Sequence, residues 1–180
     1  MFFDGTRTID MFRFLRRLAL PSILALSASL TTTSAALAAA ISSSYAITGY
    51  EYYATSTQGR FAGTASGEAG DSATWRAIVD HTPLATTAEI TGGSADLVTS
   101  NLVAVHGTFS GGSVSLVSEQ AGCGTQTYEV EGTLQRVTRS DSRHKGRGTF
   151  AATLTHYRVS VLGLCQVYSA SVRGTISLSF

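Results

Sequence analysis

Between residues 41 and 180 the chain alternates apolar and polar positions at period two almost throughout, and no stretch holds a 3.6-residue apolar period over three turns. Trp75, Ala77 and Val79 share one face of an extended segment. Phe150, Ala152 and Leu154 share a face of another, opposite Thr149, Thr153 and Thr155. Tyr128, Val130 and Leu134 alternate against Thr127, Glu129, Glu131 and Thr133, and Val172, Ile176 and Leu178 end the chain in the same manner. One apolar and one polar face is the pattern of an antiparallel sheet covered on a single side. Gly67 and Gly70, Gly92-Gly93, Gly111-Gly112, Gly122 and Gly124, and Gly146 and Gly148 read as hairpin turns or bulges. Of these, Gly111-Gly112 reads as a turn running into a strand. The long polar stretch from Arg136 to Arg147 reads as an exposed loop. These signals predict an all-β fold, a single antiparallel domain of eight or nine strands, closed or nearly closed into a barrel, with a sandwich as the alternative.

An internal echo supports a symmetric sheet. Residues 74–81 (TWRAIVDH) and 149–156 (TFAATLTH) share the pattern T-aromatic-x-A-x-V/L-x-H. Further on, 88–92 (AEITG) and 170–174 (ASVRG) correspond in the same order. Two related hairpins are the expected reading.

The first forty residues change what the rest must explain. Arg13, Arg16 and Arg17 precede an apolar run from Leu18 to Leu30, and small residues crowd Thr31 to Ala40. This is the layout of a secretory signal peptide, with A-x-A cleavage expected after Ala38 or Ala40 and an exported domain at 41–180. The apolar run falls short of the roughly 20 residues of a bilayer-spanning helix. Residues 1–40 hold four of the 13 basic and two of the 12 acidic residues, which leaves nine basic and ten acidic in the mature chain. That near-neutrality gives no footprint for nucleic acid. Cys123 and Cys165 are the only cysteines. In an exported chain they are expected to form one disulfide, and no further soft ligands lie at zinc-site spacing, so no metal is expected.

Chemistry-bearing residues are sparse. No G-x-S-x-G, H-x-H or H-E-x-x-H occurs, no set of residues reads as catalytic, and nothing points to a cofactor. His81 and His156 hold equivalent positions in the echo, two residues beyond the last apolar residue of their face. Alternation then aims both to the side of Trp75 and Phe150, at the end of the sheet. In a barrel that end is the mouth, where ligands bind. His81 and His156 are therefore ligand-binding candidates, and the alternative is that each caps its strand on a loop carbonyl. Trp75 is either core or a ligand platform. Tyr50 and Tyr52, in a cluster with Tyr45 and Tyr53, are candidate stacking residues for a flat ligand.

The last residues, with Tyr168, Val172, Ile176, Leu178 and a terminal Phe180, resemble the C-terminal assembly signal of bacterial outer-membrane β-barrels. The resemblance covers about a dozen residues, is interrupted by Gly174, and implies a small membrane barrel. Three functions are thus expected in order. The first is an exported non-enzymatic barrel that binds a small molecule or a cell-surface component in the periplasm or outside the cell. The second is a small-barrel enzyme of isomerase or cyclase type with His81 or His156 as acid or base. The third is the outer-membrane barrel.

Overall fold

The computed structural model describes residues 41–180 apart from residue 69. The expected leader and its expected cleavage sites lie outside the described residues. Eight strands follow one another: β1 (Ser42–Ala54), β2 (Gln58–Gly67), β3 (Ser72–His81), β4 (Thr87–Thr99), β5 (Ala104–Glu119), β6 (Gln126–Arg139), β7 (Ser142–Val161) and β8 (Leu164–Ser179). Each pairs antiparallel with its neighbour in sequence, and β8 returns to β1 to close the barrel. The closure runs from Ser42↔Ser179 to Gly49↔Val172.

The alternating rows sort as the pattern requires. Trp75, Ala77 and Val79, Tyr128, Val130 and Leu134, Phe150, Ala152 and Leu154, and Val172, Ile176 and Leu178 all point inward and are buried. Among the described residues, those buried as whole residues are apolar or aromatic, or glycine. Arg76, Glu89, Asp96, Glu129, Glu131 and Arg173 face out and are exposed. The centre is filled by aromatic rings: Trp75 lies 6.0 Å from Phe150, and Phe150 lies 5.8 Å from Phe109, edge to face. Barrels of eight strands have an interior just wide enough for side chains to fill.

Two inward rows show how such large rings fit. Across β1 to β4 the register aligns Gly49, Gly63, Trp75 and Leu97. Across β5 to β8 it aligns Gly112, Gly132, Phe150 and Ile176. Each row is glycine, glycine, aromatic, aliphatic. A Cβ at Gly63 would strike the Thr48 carbonyl and the Gly49 Cα, so the β1 and β2 backbones approach closely there, and one at Gly132 would collide with the Phe109 ring. Trp75 Nε1 donates to the Thr48 carbonyl at 3.1 Å, two strands away. The echo is therefore half of a wider correspondence between β1–β4 and β5–β8, which places β3 and β7 on opposite sides of the barrel. The ladders themselves are not in register. His81 pairs with Ile90, whose counterpart is Val172, whereas His156 pairs with Ala170.

Two expectations need correction. Gly111-Gly112 is not a turn but a bulge within β5, where the register shifts. Both glycines have positive φ, and the extra residue switches the inward set from Val105, Gly107 and Phe109 to Val114. Arg136 to Arg147 is not a loop. β6 continues to Arg139, Ser140 and Asp141 make the turn, and β7 starts at Ser142. Val137 faces inward at 1% exposure, so alternation persists where polar outer residues hide it.

Candidate functional site at the barrel mouth

His81 at the end of β3 and His156 within β7 reach the same end of the barrel and line one pit of about 60 Å³. Phe61, Val79, Leu84, Val114, Val130 and Leu154 form its apolar wall, with Glu51, Gln58, Thr55 and Tyr128 as polar members. A space of this size takes a few waters or a small head group. It falls well below the roughly 300–1,000 Å³ of a pocket for a drug-sized ligand.

The two imidazoles differ in what they hold. His156 Nε2 donates to Glu51 Oε2 at 2.7 Å, and the two side chains are only 14% and 7% exposed. Glu51 is two residues beyond Gly49 on β1 and reaches past Ala170 of β8 to find this partner. The corresponding residue of the second half, two beyond Gly112, is Val114. His81 thus meets no carboxylate, and its Nδ1 lies 2.7 Å from the Thr82 carbonyl. A carbonyl oxygen only accepts, so Nδ1 carries a proton, and in the neutral tautomer this leaves Nε2 as the acceptor. Among the described residues that Nε2 has no partner. His81 thus caps its strand on the Thr82 carbonyl, the alternative expected for it, and also lines the pit.

Tyr128 packs its ring edge on His156 at 5.2 Å and donates its hydroxyl to Gln126 Oε1 at 3.1 Å. Burial, then the negative charge of Glu119, pushes its phenol above the ordinary value of 10.0. Arg158 pulls the other way and Glu51 adds to the rise. The folded state therefore holds this proton more tightly than the unfolded chain. Its contribution is fully present below pH 10 and is lost as pH climbs through the folded value. Tyr128 should be the last phenol to ionise in an ultraviolet titration of the folded protein. Tyr128→Phe should remove that step and lessen the alkaline loss of stability. If Tyr128 ionised with the exposed tyrosines, its burial at this site would be contradicted.

The remaining candidates lie elsewhere. Trp75 is 1% exposed in the core beside Phe150, so the ligand-platform reading is corrected: the indole is buried. Tyr50 and Tyr52 are 55% and 52% exposed, packed edge to face at 6.4 Å, and do not line the pit. They flank Glu51 on the outer face of β1. The Cys123–Cys165 disulfide is present and ties the β5–β6 turn to β8. Glu51 escaped sequence reading because no motif surrounds it. Its only signal was its place two residues past a glycine on the inward row. Among the described residues no group of three or more His, Cys, Asp or Glu is placed to hold a metal ion. Compared with known proteins, the chain matches no protein-family model, no curated protein and no solved structure.

Proposed function

We propose that the protein is an exported, non-enzymatic binding domain that takes a small apolar ligand with a hydrogen-bond-donating head at the His81 mouth. The observation that carries this reading is His81, whose Nδ1 bond to the Thr82 carbonyl leaves Nε2 without a partner among the described residues, in a pit that Val79, Leu84, Val114 and Val130 also line. An acceptor in such surroundings favours alcohols, phenols and amides over ethers and esters of the same shape. The small pit holds the head, and the rest of the ligand lies outside the mouth. The disulfide suits an oxidising, exported compartment.

The charged outer rows and apolar interior support this over a membrane barrel, which needs an apolar outer band and a polar lumen. Phe180, the carrier of that resemblance, is partly buried against the core with the Arg139 guanidinium 5.4 Å from its ring centre.

Ligand-observed NMR with paired probes tests the proposal. Phenol should bind about tenfold or more tighter than anisole, which lacks the donor, and His81→Phe should abolish the difference. Equal binding of the two probes, or a preference that survives His81→Phe, would refute it. One observation favours a second reading: the Glu51–His156 pair at 2.7 Å is the arrangement of an oriented general base. An isomerase or cyclase activity that is lost in His156→Gln while the fold is kept would establish that reading instead.

A further inference from the structure

The β7–β8 hairpin continues beyond the barrel as an arm. β7 pairs with β6 only as far as His156, and β1 leaves β8 after Gly49↔Val172, but β7 and β8 go on pairing to Val161↔Leu164. The turn is Leu162-Gly163, both at positive φ, the two-residue geometry that matches strand twist. The β7 side of the arm is covered. Arg158 Nε donates to the Gly124 carbonyl at 2.8 Å and Arg158 Nη1 pairs with Glu119 at 2.8 Å, while the disulfide runs from Cys123 of the same turn across to Cys165 on β8. The β8 side is different. From Leu164 to Ser171, among the described residues, no strand lies against it.

An unpaired strand edge offers main-chain donors and acceptors that only another extended strand can satisfy in register. Proteins blunt such edges with charge, proline or bulges. Here the segment from Val159 to Ser171 holds neither charge nor proline, and its one irregularity is the extra residue Tyr168 between Val167 and Ser169, which leaves Leu164 to Val167 regular. Leu162 is fully exposed at the tip, Leu164 and Tyr168 are each 67% exposed, and the Tyr157 and Tyr168 rings sit 6.4 Å apart. We propose that this edge docks a second copy of the chain: two β8 arms pair antiparallel about a twofold axis and form a four-stranded sheet.

Three features select a second copy over a foreign strand. A twofold antiparallel contact sets the same segment against itself, and a neutral segment meets itself without repulsion. Nothing charged along the edge would select a charged partner. The arm's exposed side chains Val159, Val161, Leu162, Leu164, Val167 and Tyr168 are apolar or aromatic, the composition that homodimer interfaces favour. The disulfide and Arg158 also hold the arm in place beforehand, which lowers the entropic cost of docking.

Sedimentation velocity of the mature, disulfide-intact protein across the micromolar range tests this, with amide exchange followed in parallel. A dimer is expected whose 164–170 amides gain protection as concentration rises. Val167→Lys with Tyr168→Lys should give a monomer over the same range while melting at the wild-type temperature. Because lysines could loosen the arm itself, the exchange of the wild-type edge stands as an independent readout. A wild-type protein that stays monomeric would overturn the proposal. So would a dimer whose edge amides exchange at the same rate at every concentration, or an arm that docks onto phosphatidylcholine vesicles in place of a second copy.

Discussion

Replacing Trp75 by alanine should cost about 3–5 kcal/mol of folding stability, the upper range for truncating a buried aromatic residue. Three features place it there. The indole is 1% exposed and meets Phe150 in the middle of the barrel. Its row neighbours Gly49 and Gly63 have no side chains to move into the space, so the cavity persists. The Thr48 carbonyl also loses its 3.1 Å donor. Trp75→Phe should cost distinctly less, because the ring stays and only its polar edge goes. Urea unfolding measures both, as a lower midpoint at constant slope. A loss below about 1 kcal/mol for Trp75→Ala would mean that the ring does not fill the core.

Removing the disulfide should have the next largest effect. The 42-residue separation of Cys123 and Cys165 sets a ceiling of about 4 kcal/mol on the chain-entropy account. Cys123→Ala with Cys165→Ala is expected to lose about 2–4 kcal/mol. The loss should have a local signature as well. The arm lies outside the core and keeps only Arg158 to hold it to the β5–β6 turn, so amides from 157 to 168 should exchange faster than the rest of β7 and β8. An unchanged midpoint with a fast-exchanging arm would show that the arm opens independently of the barrel. That result would also weaken its use as a rigid docking edge.

Much of the fold was legible because inward rows repeat at period two and a barrel needs only that and closure. Trp75, Val79, Phe150 and Leu154 were placed on the correct face by alternation alone. What alternation hid were the places where it breaks. Gly111-Gly112 looked like a turn because bulges and turns use the same residue, and only pairing with β6 tells them apart. Arg136–Arg147 looked like a loop because its outer positions are charged, while its inner ones are Val137 and Gly146, which lies against the Ser179 carbonyl of β8. The site was half visible. The echo brought His81 and His156 to one end, but Glu51 lies 105 residues from His156 and only closure of β8 onto β1 joins them. The difference between the two histidines follows from Glu51 against Val114 and from the register shift at His81, and both needed the strand pairing to be seen.

Native mass spectrometry of the protein, exported through its own leader and purified without detergent, tests the central claim most directly. The account predicts a mass that begins after Ala38 or Ala40 and carries a small non-covalent adduct on the wild type. The adduct should leave on denaturation and be absent from His81→Phe. A bare mass for the wild type, or the same adduct on both proteins, would contradict a ligand site at the His81 mouth.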